Sequence, residues 1–408
     1  MKNLIKFFFY ILTVFSFLFM TSNKVIGPLC MRHIVALCLF IYSCFYIKKF
    51  RFDRIETLFF AYLFVYIICN IVNGEFFLTT FFTNFLSYHF SSIVLILSIP
   101  IIVKSKRDLN LFVGAIAISY FSNCILTIGQ FFSFPPSWEI GQMVNDGLTR
   151  ELENNADIFE YDGGLLGRTI TAGFTGFVVT NGYFTTCYLP IAHQVLKAHS
   201  KYVFFPILII VALAVTFINQ ERAAMLLVLL YFLFYVFMYY KPSKLFLLFG
   251  GLLLLFFYCQ DAIFNSMEMG RLMEFSDSTR GKLWRDFRQF LYTDQLYFGG
   301  LDNYISVYKV NQHNCLLAAW TIGGIFTFLS FCVLYFYALY ELTRMLFNWD
   351  FIRSNIIFFS LATSCGLYLL YSLTHSSGLQ NDGVMFWLPY TLLLVYKKLY
   401  NIPNEMTR

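Results

Sequence analysis

Charge is scarce in this sequence. Only 13% of its 408 residues are Asp, Glu, Lys or Arg, against 59% that are hydrophobic, and that balance excludes an ordinary soluble domain, in which about a quarter of residues are charged. Cysteine chemistry is also missing. The ten cysteines include no CxxC pair and no His-Cys spacing suited to zinc, so neither a disulfide framework nor a zinc site is supported, and the thiols read as apolar filler. No internal repeat of 20 to 50 residues and no low-complexity tract is present, which argues against a solenoid. The opening run, MKNLIKFFFYILTVFSFLFMTSNK, lacks a small-x-small cleavage site and reads as a first membrane span rather than a secretory signal.

What is there is a series of long apolar runs. A bilayer core needs about 20 apolar residues per helix, and about twelve such segments fit, centred near residues 13, 40, 64, 95, 121, 183, 211, 231, 252, 325, 363 and 390. The expected fold is therefore all-α, a single polytopic transmembrane bundle over residues 1–408. With the N-terminus in the cytoplasm, most of the 29 Lys and Arg fall in short cytoplasmic segments such as KKFRFDR (48–54), KSKRD (104–108) and KPSK (241–244). Both termini are then cytoplasmic.

Two segments break the pattern, residues 134–170 and 262–312, and both fall on the outer side. The first is acidic. The second carries TRGKLWRDFRQFLYTDQLYFGGLDNY, in which Leu283, Trp284, Phe287, Phe290 and Leu291 repeat at helical spacing while Lys282, Arg285 and Gln289 face away. Asp277 or Ser278 would cap this amphipathic helix, and a helix of that pattern lies in the interface plane, either binding a ligand or anchoring on anionic lipid.

Arg222 stands in TFINQERAAMLLVLL, where only Asn219 to Arg222 interrupt two apolar runs. Snorkelling explains one arginine at a helix end. The functional alternative is a guanidinium fork set for phosphate oxygens. Arg280, Arg285 and Arg288 from the second loop and Arg168 before the sixth span would complete a site for a polyanion, with a lipid diphosphate the natural ligand. In VNQHNCLLAAWTIGG (310–324), His313 and Asn314 open the tenth span. His313 there either hydrogen-bonds a loop carbonyl or works as a base. Gly324 falls almost in phase with it, and Ala318, Ala319 and Gly323 would let neighbouring helices approach closely.

Three stretches together, GRTITAGFTGFVVTNGYFTTCYLP (167–190), INQERAAMLLVLL (218–230) and TRGKLWRDFRQFLYTDQLYFGGLDNY…QHNCLLAAWTIGGI (279–325), resemble the O-antigen polymerase and O-antigen ligase superfamily of bacterial membrane glycosyltransferases. The resemblance rests on an arginine in a short outer turn (Arg222), an arginine and tryptophan before a glycine-rich turn (Arg280, Trp284, Gly299, Gly300), and a histidine-asparagine pair ahead of a glycine (His313, Asn314, Gly324). Two positions depart from that pattern. Thr327 stands where a second glycine is frequent, and Glu221 precedes the turn arginine, where it could pair with Arg222.

The resemblance implies transfer of a glycan from undecaprenyl diphosphate to a sugar hydroxyl at the periplasmic face of the inner membrane, without metal or cofactor. His313 would be the base, Arg222, Arg280 and Arg288 would hold the diphosphate with Arg285 and Arg168, and Asn314 would orient the acceptor. A metal-dependent variant would use Glu160 and Asp162 with Asp157. A polymerase joins repeat units on the carrier, and a ligase moves the finished glycan to lipid A-core. Two sizeable outer loops and an R-x10-G spacing from Arg288 to Gly299 favour the polymerase. The expected partners are the lipid-linked donor, a glycan or lipid A-core acceptor, the bilayer and a chain-length regulator, with no nucleic acid. A flippase or transporter for lipid-linked sugars is the competing class, although the two halves of the chain differ, unlike the related halves of most transporters.

Overall fold

A computed structural model describes residues 2–26, 29–46, 51–147, 171–199, 204–219, 221–239, 287–290, 296–308, 314–375, 378–379 and 383–402. The described chain is almost entirely helical. In order run α1 (Lys2–Leu18), the short antiparallel strands β1 (Lys24–Ile26) and β2 (Leu29–Cys30), α2 (Met31–Cys44), α3 (Arg54–Val72) and α4 (Thr79–Asn84). A π-helical turn at Phe85–Phe90 joins α4 to α5 (Ser91–Ile102), followed by α6 (Lys106–Phe131) and α7 (Pro135–Val144). Then come α8 (Val178–His199), α9 (Phe204–Ile218), α10 (Arg222–Tyr239), α11 (Leu301–Tyr308), α12 (Cys315–Leu346), α13 (Trp349–Ser354), α14 (Ile356–Ser372) and α15 (Val384–Leu399).

Among the described residues, five helical segments are by length and composition long and apolar enough to cross a membrane: Arg54–Val72, Thr79–Ile102, Lys106–Phe131, Arg222–Tyr239 and Cys315–Leu346. Shorter apolar helices cover Asn3–Leu18, Met31–Cys44, Phe205–Ile218 and Ile356–Ser372. Described helices overlie each expected span centre except that near residue 252, which lies outside the described residues. The described residues are thus almost all helical, and the length and apolar composition of five of these helical segments are consistent with a membrane protein.

Local chemistry sets where the helices begin. Asp53 accepts the Glu56 backbone N–H at 2.8 Å while Glu56 accepts that of Asp53 at 2.9 Å, a reciprocal cap that starts α3. Ser105 accepts the Asp108 N–H at 3.1 Å and starts α6. α8 and α14 pack along each other at the centre, α6 lies against α8, and α15 lies between α14 and α5. Peripheral faces remain apolar and exposed, as at Phe64, Ile125 and Leu226. In lipid such faces need no cover.

Buried amides tie the centre together. Asn123 Nδ2 donates to Asn181 Oδ1 at 2.7 Å, and Asn181 Nδ2 donates to Thr127 at 3.1 Å. Asn123 Oδ1 also receives the Phe174 N–H at 2.8 Å, so the segment leading into α8 is held against α6. α1 joins the same bundle, with Lys6 Nζ 2.7 Å from Asp108. Every member of this set has a partner, the condition on which a buried polar network stabilises rather than weakens a fold.

Candidate functional site

The turn between α9 and α10 is short and polar. Asn219, fully buried, accepts the Thr171 hydroxyl at 2.7 Å, so the first and second of the three family-like stretches touch here. Glu221 follows, and its carboxylate settles the question raised by its neighbour Arg222. Glu221 Oε2 lies 3.5 Å from His375 Nε2 and receives the Tyr371 hydroxyl at 3.2 Å. The carboxylate is turned toward α14 and the segment after it, and among the described residues it makes no ion pair with Arg222. Arg222 itself is exposed as the first residue of α10.

Gly182 makes this arrangement possible. A Cβ there would stand 2.5 Å from the Tyr371 hydroxyl and 3.2 Å from Glu221 Cγ. Tyr183 closes the same wall, its ring 4.0 Å from that of Tyr371 and 5.8 Å from the His375 ring, centroid to centroid.

Asn314 enters from α12. Its Oδ1 accepts the backbone N–H groups of Leu316 and Leu317 at 2.9 and 3.2 Å, which caps the helix, and its Nδ2 donates to the Leu373 carbonyl at 3.0 Å. Leu373 lies two residues before His375. The Asn314 helix start and the Glu221-Arg222 turn are therefore linked through one short segment, 373–375.

The glycines of the third stretch form a second backbone contact further along α12. Within α12, Gly323 and Gly324 leave helical geometry, Gly324 with φ +69°. Into that break fits the turn before α11, where Gly299 also has φ +69°, Gly300 N–H donates to the Thr321 carbonyl at 2.8 Å, and Trp320 Nε1 donates to the Leu296 carbonyl at 3.2 Å. Gly324 thus admits a loop backbone and breaks its helix.

Arg288 is exposed on a short helical piece, residues 287–290, whose flanking Phe287 and Phe290 are buried against Trp320 and Tyr304 at 6.1 and 5.1 Å between ring centroids. The apolar side is covered by protein. Contact with Trp320 places this piece along the first two turns of α12 beyond Asn314. Arg168, Arg280, Arg285 and His313 lie outside the described residues, as do Trp284, Asp157, Glu160 and Asp162. Among the described residues no group of three or more His, Cys, Asp and Glu is placed to hold a metal ion.

Sequence reasoning missed the Glu221–Tyr371–His375 cluster. Glu221 stood out only as a possible partner for Arg222, and His375 follows an apolar helix in a polar segment with no motif around it. The other histidines are packed differently. His89 is buried among Tyr62, Tyr66 and Phe85, and His33 Nε2 is 3.1 Å from the Ser87 hydroxyl. Compared with known proteins, the chain matches no family model and no curated protein.

Proposed function

We propose that the chain is a membrane glycosyltransferase of the O-antigen polymerase type, joining undecaprenyl-diphosphate-linked oligosaccharide units at the periplasmic face of the bacterial inner membrane. The observation that carries this reading is the meeting of its separate polar stretches: the Thr171 segment, the Glu221-Arg222 turn and the Asn314 helix start converge at one end of the bundle. The reading also rests on twelve spans with both termini in the cytoplasm, which puts that end outside.

In the proposed reaction the acceptor hydroxyl oxygen attacks the anomeric carbon while the bond to the diphosphate oxygen breaks. The anomeric configuration inverts, and the diphosphate leaves with the bonding pair. Developing charge on it falls to Arg222, Arg280 and Arg288, with Arg285 and Arg168 beside them, and arginine forks stabilise such charge by preorganised donors. The hydroxyl proton passes to His313. Asn314, both ends of whose amide are engaged, would orient the acceptor by fixing the start of α12 and the 373–375 segment. The turn of Glu221 toward His375 supports this assignment, because it leaves the Arg222 guanidinium without that competing carboxylate.

The test is reconstitution of the full chain in liposomes with a polyprenyl-diphosphate-linked oligosaccharide. A ladder of longer lipid-linked products is expected. Product formed only when lipid A-core is supplied would make the chain a ligase, and movement of the lipid across the bilayer with no new glycosidic bond would overturn the proposal in favour of a transporter.

A further inference from the structure

α12 runs from Asn314 at one end of the bundle to Arg344 near the other, and that far end holds a cavity of about 830 Å³ between the start of α3 and the last turns of α12 and α15. Its charged lining is Asp53, Arg54, Glu341, Arg344, Lys397 and Lys398. Cations outnumber carboxylates there.

The carboxylates are already engaged within the protein. Asp53 Oδ1 caps α3 by accepting the Glu56 N–H at 2.8 Å, and its other oxygen receives the Tyr390 hydroxyl. Glu341 receives the Tyr337 hydroxyl at 3.0 Å and lies 3.6 Å from Arg344. Among the described residues neither Lys397 nor Lys398 forms an ion pair. A helix C-terminus by itself favours cations in its last turn, and a basic collar would satisfy membrane orientation on a convex surface. Neither requires a concavity of ligand size, and this one falls within the range of about 300–1,000 Å³ seen for small-molecule sites.

We propose that this cavity binds a phosphate group, presented by a lipid headgroup or by a free phosphate ester, on Arg54, Arg344, Lys397 and Lys398. Guanidinium forks match phosphate oxygens in pairs, and ammonium groups add charge without fixed geometry. A bundle end read as lying at a membrane surface is at headgroup depth, where a lipid phosphate reaches it laterally. The site is independent of the glycosyl-transfer reading, because its residues lie at the opposite end of α12.

The purified full-length protein in neutral detergent would be titrated with inorganic phosphate and, separately, with short-chain phosphatidylglycerol, following the thermal midpoint and intrinsic fluorescence. Diacylglycerol of the same chain length is the phosphate-free comparison. Saturable binding is expected, weakened about tenfold by Lys398→Gln, the loss of one charge-assisted contact, and further by Lys397→Gln with Lys398→Gln. Saturation by inorganic phosphate makes a free phosphate ester sufficient, and saturation by phosphatidylglycerol alone assigns the lipid headgroup. Lys398 is exposed, so its single variant tests the site even if the double variant fails to fold. Absence of saturable binding, equal binding of diacylglycerol, or unchanged affinity in Lys398→Gln and Arg344→Gln overturns the proposal.

Discussion

Arg222 and Asn314 do different work although both open helices at the same end of the bundle. Arg222 presents an exposed guanidinium beside a carboxylate that is engaged elsewhere. Under the proposed reaction, Arg222→Gln should lower transfer about 10²-fold or more, the scale of losing one preorganised donor to a developing anion, with the same amount of protein in the membrane. Arg222→Lys should recover part of that loss, because charge returns without the fork; wild-type rates in Arg222→Gln would remove this arginine from the site. Asn314 is instead a cap and a cross-link, and Asn314→Ala leaves the Leu316 and Leu317 N–H groups and the Leu373 carbonyl without it. Thermal unfolding should show a loss of about 1–2 kcal/mol, and an unchanged midpoint would refute the cap. Asp53 gives a pH-dependent case. Its carboxyl is raised chiefly by burial, so the folded protein holds this proton at pH values where the unfolded chain has lost it. Stability from this group is full below the ordinary carboxylate pKa and is lost as pH rises through the raised one. Asp53→Asn keeps an oxygen for the Glu56 N–H, so its thermal midpoint relative to wild type should climb as pH is raised from 4 to 7. A difference that stayed flat would show that Asp53 does not titrate in that window.

At the scale of elements, most of what builds the fold is legible in the sequence and most of what builds the site is not. Long apolar runs report helices because lipid-facing and core-facing sides are both apolar, and the caps at Asp53, Ser105 and Asn314 follow from residue type at a run's start. Gly323 and Gly324 were legible as small residues but not as a break in α12, since a helical glycine and a glycine at φ +69° look alike in sequence. The same limit hides the π-helical turn at Phe85–Phe90. His375 was illegible as a site residue because only the docking of α14 against α8 and α10 brings it to Glu221. Gly324→Ala tests the break directly. A Cβ there would collide with the backbone of Tyr297 and Phe298, and the φ value disfavours any L side chain. The variant should lose most folded protein in detergent, measured by size-exclusion chromatography, whereas Gly366→Ala, whose nearest neighbour is Leu346 Cδ1 at 3.7 Å, should behave as wild type. Equal recovery of the two would show that the turn at 296–300 does not need this break.

Among the described residues, two polar groupings lie at opposite ends of the bundle. One end gathers Asn219, Glu221, Arg222, Asn314, Tyr371 and His375, and the other gathers the cations around the cavity at Arg54, Arg344 and Lys397. The centre is held by paired amides, Asn123 with Asn181 foremost, which suits a fixed scaffold with a reaction at one face more than a path through the middle. Sequence alone divided the same chain by charge, with short basic segments opposed to two longer loops. The activity proposed for the loop side rests on the resemblance to the polymerase and ligase superfamily. The most direct test of that activity is to delete the gene in its host and resolve the lipopolysaccharide on a silver-stained gel. A core bearing a single repeat unit is the predicted result; an unchanged ladder would contradict it, and bare core with long polymer accumulating on the lipid carrier would replace polymerase by ligase.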